Sequence, residues 1–177
     1  FDLDGSYLSA RLVDGVPRIV VRLYPRFEFA YPTDATPEAS AAATAHNKEV
    51  VRTTKPDAYL PHFAFTNAAG RRGASKPLTT CANSYRTPSF SGFGMLSVIT
   101  FNVAKPADSH ATSVMADGDV VYAAGTRMYV ATNSWGAVNR ADNSIAPSSS
   151  TLIHEFDISD PTNATFRVSA QTRSGTT

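Results

Sequence analysis

The chain has 177 residues, of which 42% are hydrophobic and 18% are charged, enough for one core or for one domain and part of another. Its formal net charge is +1 and it has no run of Lys or Arg, which excludes electrostatic attraction to nucleic acid or to an anionic membrane. No window approaches the roughly 18 consecutive apolar residues that a membrane-spanning helix needs, so we expect no membrane insertion.

The first residues carry neither an initiator Met nor a signal sequence. We therefore expect a processed form or an internal piece of a longer chain. The single cysteine, Cys81, has no partner for an intrachain disulfide. Two interpretations remain open: a half-buried thiol, or a thiol that pairs with a cysteine on an absent segment.

The first predicted element is a β-hairpin. Residues 6–13 and 18–24 read as strands, and Asp14-Gly15 provides the turn between them. Three prolines occur in the segment that follows, and they exclude a central strand there because proline cannot donate a main-chain hydrogen bond. They are Pro25, Pro32 and Pro37.

A helix is predicted over residues 36–53. Thr36 suits the N-cap, Pro37 the first helical position, and Glu38 the positive end of the helix dipole. One narrow, mostly alanine stripe follows the helical spacing, so we expect the helix to lie close on a sheet or on a partner. The stripe consists of Ala39, Ala42, Ala43, His46 and Val50. We interpret its histidine as a packed side chain rather than a ligand.

Residues 55–93 give weaker signals. A short strand interrupted by Pro61 is predicted over residues 58–65, a loop over 67–75 and a short strand over 78–81. Residues 83–93 are irregular, which is typical of a packed surface loop and sometimes of a binding loop. Residues 95–103 then form the strongest strand of the chain, and their continuous apolar run predicts burial on both faces.

Residues 112–132 contain two turn signals. Asp117-Gly118-Asp119 and Gly125-Thr126 separate short β-branched and aromatic runs. Because a parallel crossover needs a dozen or more residues, we expect three strands in an antiparallel meander. A polar excursion over residues 133–150 follows, and strands are predicted over 151–158 and 164–171. Short, evenly spaced strands are typical of sandwiches, barrels and propellers.

The second half resembles a family of secreted bacterial β-propeller domains that are distantly related to WD-repeat proteins. Three phrases carry the resemblance: GMLSVITFNV, SVMADGDVVYAAGTRMYVATNSW and, after a polar insert, TLIHEFDISDP with TFRVSAQ. Looser matches reach back through Leu60-Pro61, Pro77-Leu78, Cys81 and Phe90-Ser91-Gly92 to the opening hairpin and helix. The resemblance therefore covers most of the chain.

The resemblance implies a mostly β fold of antiparallel propeller-like blades, a partial propeller with one inserted α-helix. Residues 1–93 supply the opening hairpin, the helix and an irregular segment, and residues 94–177 supply about one four-stranded blade with its flanking strand. A closed propeller needs at least four blades. We therefore expect other propeller segments or chains to complete the fold. A non-propeller sheet is the remaining alternative.

The function that the resemblance implies is an extracellular scaffold or binding domain, secreted or at the cell surface, that mediates a protein or glycan interaction. One alternative is a propeller enzyme of hydrolase type whose acidic residues lie on blades outside this chain. Another is a subunit of a cell-surface assembly in which the helix docks a neighbour.

The sequence offers no catalytic, metal or cofactor signature. The alternation of a strand puts His154 and Phe156 on one face and Glu155 and Asp157 on the other, so we expect polar residues on the sheet surface rather than metal ligands. The segment around Ser91 lacks the glycines of a nucleophile elbow. Asp2-x-Asp4-Gly5 lacks the downstream glutamate of a calcium loop.

Trp135 is the only tryptophan, and it lies where a strand enters the polar excursion. It fits either core packing or an aromatic platform for a carbohydrate or protein at a propeller rim, because Trp combines a large apolar face with a polar group. In the second interpretation Asn133 and Arg140 flank it in a binding site.

Overall fold

A computed structural model describes residues 2–88, 90–134 and 150–173 of the chain. Within these ranges the regular structure is mostly β-strand with one α-helix, which confirms the predicted fold class. The strands are β1 (Asp2–Leu3), β2 (Ser6–Val13), β3 (Val16–Leu23), β4 (His62–Ala64), β5 (Lys76–Pro77), β6 (Ser84–Arg86), β7 (Met95–Thr100), β8 (His110–Met115), β9 (Val120–Ala124), β10 (Arg127–Ser134), β11 (Ser150–Asp157) and β12 (Thr165–Arg173). The α-helix α1 spans Pro37–Thr53, and short 3₁₀-helices span Pro56–Tyr59, Cys81–Asn83 and Pro106–Asp108.

These strands form three sheets. The five-stranded sheet has the order β2-β3-β7-β8-β6, and all of its pairs are antiparallel except β6 with β8. The four-stranded sheet runs β9-β10-β11-β12 in chain order and is antiparallel throughout. The three-stranded sheet, β1-β4-β5, is short and antiparallel. The predicted opening hairpin is confirmed as β2 and β3, with Asp14 and Gly15 both at positive φ in the turn.

The five-stranded sheet is covered on both faces. One face packs against the four-stranded sheet through a core that includes Leu96, Val98, Val130 and Phe156, all of which are fully buried. The opposite face packs against the three-stranded sheet through a smaller cluster. That cluster consists of Val21, Phe63, Leu78, Ile99 and Ala111. Every residue of β7 is buried, as the continuous apolar run predicted.

The meander predicted over residues 112–132 is wrong. β9 and β10 do form a hairpin, but β8 belongs to the five-stranded sheet, so the chain changes sheets at Asp117-Gly118-Asp119. Gly118 lies between the two sheets, where an added Cβ would come within 2.6 Å of Val130 and 3.0 Å of Leu96. The glycine therefore permits a close crossing between sheets rather than a tight hairpin.

Arg18 links the same two sheets near their other end. Its side chain is buried, and its guanidinium donates to the Thr100 hydroxyl and to the carbonyls of Ile158 (3.0 Å) and Asp160 (2.5 Å). Burial lowers the pKa of the guanidinium, and the Asp160 carboxylate raises it in part. β3 and β7 are thus tied to the turn that joins β11 to β12.

Helix α1 begins and ends much as the sequence predicted. The Thr36 side chain accepts a hydrogen bond from the Ala39 amide, which confirms the N-cap. Ala43 is the buried residue of the helix, and Asn47 exchanges two hydrogen bonds of 2.8 Å with the Ala30 main chain. The interpretation of His46 as a packed residue is wrong, because its side chain is exposed while Asn47 faces the protein.

The segment between α1 and β7 contains less regular structure. The strand predicted over 58–65 is reduced to β4, preceded by a 3₁₀-helix. The strand predicted over 78–81 is wrong, because the pairing of β4 with β5 ends at Pro77 and the Leu78 amide instead donates to the Pro61 carbonyl. Cys81 starts a 3₁₀-helix at the surface, so its thiol is exposed rather than half-buried.

Candidate functional site

One of the predicted binding residues, Asn133, lies at one end of the four-stranded sheet. Asn133 belongs to β10, and its main chain pairs with Thr151 of β11. Trp135 and Arg140 lie outside the described residues, so the predicted platform stays a prediction. The same end of the sheet is where β9 begins, next to the crossing at residues 117–119.

A second candidate surface is the outer face of the four-stranded sheet, which points away from the five-stranded sheet. Strand alternation places on it the apolar side chains of Val120, Tyr122, Tyr129, Ile153 and Val168, and we call this set the open face. Tyr129 pairs directly with Tyr122, and Glu155 pairs directly with Val168. Val120 is 64% exposed and Tyr122 is 62% exposed, whereas Val121 between them is buried. Sequence patterns could not predict this exposure, because β9 and β10 carry apolar residues on both faces.

One end of the open face is charged. Arg127 of β10 forms ion pairs with Glu155 at 3.0 Å and with Asp157 at 2.7 Å, both on β11. Asp157 also accepts hydrogen bonds from the Ser159 amide and hydroxyl, and these bonds lower the pKa of its carboxyl. Asp157 therefore shapes the turn that follows β11.

At the opposite end, Asp117 fixes a loop of the irregular segment. Its carboxylate accepts a hydrogen bond from the Gly94 amide at 3.1 Å, and its own amide donates to the Ser91 carbonyl at 2.7 Å. Burial and the Asp117 carboxylate raise the pKa of the Tyr24 hydroxyl. Gly92 has a φ of 115°, and a Cβ there would come within 2.3 Å of the Asp117 carboxylate. The sequence indicated a turn at Asp117 but not this second role.

Two further contacts tie the crossing to both sheets. Asp119 accepts a hydrogen bond from the Thr132 hydroxyl at 3.0 Å and forms an ion pair with Arg22 at 3.2 Å. Arg22 also donates to the Gly118 carbonyl at 3.1 Å. Asp119 therefore joins the two sheets in addition to shaping the chain reversal.

His154 is not on the sheet surface, contrary to the prediction. Its side chain is fully buried in the same row of β11 as Phe156, and its Nδ1 lies 2.7 Å from the Ser169 hydroxyl. Its Nε2 has no hydrogen-bond partner among the described residues. Burial lowers the pKa of the imidazole, and the Asp117 carboxylate opposes this shift. The shared face with Phe156 was predicted correctly, but that face is the inner one.

Among the described residues, no group of three His, Cys, Asp or Glu side chains has a geometry that could hold a metal ion. No helix in this part of the chain combines the length and the apolar character needed to cross a membrane.

A family model described as a β-propeller domain matches residues 1–173. No curated protein and no solved structure matches the chain. The match agrees with antiparallel sheets stacked face to face, the arrangement that successive propeller blades adopt. The chain therefore belongs to the β-propeller domain family.

Proposed function

We propose that this chain is a non-catalytic scaffold segment of an extracellular β-propeller, and that its open face is covered by a further antiparallel sheet. The observation that carries the proposal is the contrast between two sheets of the same chain. The five-stranded sheet is covered on both faces, whereas the four-stranded sheet has an apolar outer face with side chains more than half exposed.

The chemistry of the open face indicates what covers it. Aromatic and β-branched side chains in neighbouring strands match the composition of the two buried inter-sheet clusters. The Arg127 ion pairs confine charge to one end of the face. A sheet with its own apolar inner face would bury the uncharged part of the open face. Each Å² of apolar surface that it removes from water would stabilise the assembly by about 25 cal/mol. Such a sheet belongs to another segment of the same propeller or to a second chain that completes it.

The scaffold role and the extracellular location rest on the motif resemblance of the second half of the chain. In this role the completed ring presents its rims and loops to a protein partner. The exposed Phe90 and Phe93, whose rings meet at 4.8 Å on the loop that Asp117 fixes, are one such feature. Protease treatment of intact cells tests the location, since an extracellular domain is cleaved while the membrane is unbroken.

Hydroxyl-radical footprinting of the full native protein tests the covering sheet. We expect Tyr122 to be protected in the native protein and oxidised after denaturation, because a covering sheet excludes solvent from its ring. Tyr31, which is 80% exposed, is the internal control and should be oxidised in both states. Equal native oxidation of the two tyrosines would overturn the proposal.

A matched pair of variants extends this test. Tyr122→Glu should lower the free energy of unfolding by about 2 kcal/mol, because it places a charge in a buried interface. Tyr31→Glu should change it by no more than about 0.5 kcal/mol, as is usual at the surface. Equal effects of the two substitutions would show that the open face is solvent-exposed in the native protein.

A further inference from the structure

A cleft opens at the end of the molecule where Arg18 links the two sheets. It has a volume of 390 Å³, within the range of small-molecule sites. Three segments form its walls: the β2–β3 turn, the connection from β7 to β8, and the turn between β11 and β12. The cleft is therefore built from both sheets, and all of its walls lie in described residues.

The main chains of these three walls are tied to one another. The Phe101 amide donates to the Pro17 carbonyl at 3.0 Å, which joins the connection to the β2–β3 turn. Arg18 of β3 donates hydrogen bonds to Thr100 of β7 and to the carbonyls of Ile158 and Asp160. These bonds join the first two walls to the turn between β11 and β12. A cleft with fixed walls binds a ligand without a large cost of ordering.

The lining supplies hydrogen-bonding groups with unused capacity. Asn102 uses its Oδ1 to accept from the Lys105 amide at 2.9 Å, which leaves its amide nitrogen available as a donor. Asp108 and His110 also line the cleft, and their exposed side chains form no hydrogen bond or ion pair within the described part of the chain. Val16 and Pro161 add apolar surface to the lining.

The combination of groups selects one class of ligand. The Asp108 carboxylate repels an anion. An ammonium ion would satisfy that carboxylate but would offer no acceptor to the Asn102 amide. A hydroxyl both donates and accepts, and two neighbouring hydroxyls can donate to the two oxygens of one carboxylate. We propose that this cleft binds a neutral polyhydroxyl ligand, such as one unit of a saccharide. The proposal is independent of the covering sheet, which concerns a different surface.

An NMR titration of the full ¹⁵N-labelled protein tests this assignment. The probes are D-glucose, D-galactose and D-mannose, with ethylammonium chloride and sodium acetate as the cationic and anionic comparisons. We expect saturable shifts of the Asn102, His110 and Thr162 amide signals with at least one sugar and none with the two salts. The absence of saturation with every sugar, saturation with ethylammonium alone, or sugar-dependent shifts confined to another surface would each overturn the proposal.

Variants then identify the groups responsible. Asp108→Asn keeps the size of the side chain but removes its charge, and it should weaken sugar binding about tenfold. Glu38→Gln, in the first turn of α1, removes the same charge away from the cleft and should leave binding unchanged. His110→Asn is a second variant for the case in which Asp108→Asn alters the fold, and it should also weaken binding. Wild-type affinity in both cleft variants would contradict the proposed site.

Discussion

Arg18 donates a hydrogen bond to the main-chain carbonyl of Ile158 at 3.0 Å, and this contact joins two sheets through a buried cation. The same guanidinium also satisfies the Asp160 carbonyl and the Thr100 hydroxyl. Three acceptors, one on β7 and two in the turn between β11 and β12, therefore depend on one side chain.

Arg18→Met should lower the free energy of unfolding by about 3 kcal/mol, because it leaves buried acceptors without a donor. Urea denaturation measures the change. Arg52→Met is the control, since Arg52 forms an exposed pair with Glu49 in α1 and should cost no more than about 0.5 kcal/mol. A similar loss in both variants would show that the buried contacts add nothing beyond an ordinary surface charge.

Gly92→Ala should destabilise the protein by about 2 kcal/mol, because its φ of 115° is unfavourable for alanine and its Cβ would collide with the Asp117 carboxylate. Gly15→Ala provides a matched comparison, since Gly15 also has positive φ but an added Cβ there meets no atom within 4 Å. It should cost only about 1 kcal/mol from backbone strain. Thermal unfolding of both variants separates strain from collision, and an equal cost would exclude a role for the carboxylate.

The buried His154 should make stability depend on pH. Because its pKa is lowered in the folded state, the unfolded chain takes up a proton first as the pH falls below the ordinary histidine value of about 6.5. Stability is therefore fully present above that value and declines below it, by at most about 1.4 kcal/mol per pH unit for one histidine.

Urea denaturation at about pH 7.5 and about pH 5.5 checks this dependence. His154→Asn removes the titrating group and should show a smaller decline than the wild-type protein. If the stability of His154→Asn fell with pH as much as that of the wild-type protein, other titratable groups would be responsible for the pH dependence.

Ser97 and Ser113 form a buried hydroxyl pair at 2.6 Å between β7 and β8. Replacing either with alanine leaves the other hydroxyl unpaired and should cost about 1.5 kcal/mol. The double variant removes both polar groups and should cost no more than either single change. Additive losses in a double-mutant cycle would show that each hydroxyl contributes through separate contacts.

Local signals in the sequence predicted several elements correctly. The Asp14-Gly15 turn marked the opening hairpin, Thr36 and Pro37 marked the start of α1, and an apolar run marked the doubly buried β7. Each of these depends on residues close together in the chain. The error at Gly118 arose because a turn between sheets uses the same residue types as a hairpin turn, and only packing against Leu96 and Val130 distinguishes them.

Sequence patterns could not predict the two surfaces on which the proposals rest, the open face and the cleft. β9 and β10 have apolar side chains on both faces, so alternation could not show which face is open. The cleft brings together Pro17, Asn102 and Thr162, which lie far apart in the chain. The predicted site at Trp135, Asn133 and Arg140 remains a prediction, since two of its residues lie outside the described part.

The pairing of Leu23 with Met95 places the whole helical segment between two adjacent strands of one sheet. The β2–β3 hairpin forms from local contacts, but its partner β7 must be synthesised and must close a long loop before the sheet is complete. Completion of this sheet therefore comes late in folding. The cost of closing such a loop rises by only about 0.6 kcal/mol for each doubling of its length. Insertions in the part of this segment that carries α1, outside β4, β5 and β6, should therefore be tolerated while the sheet keeps its register.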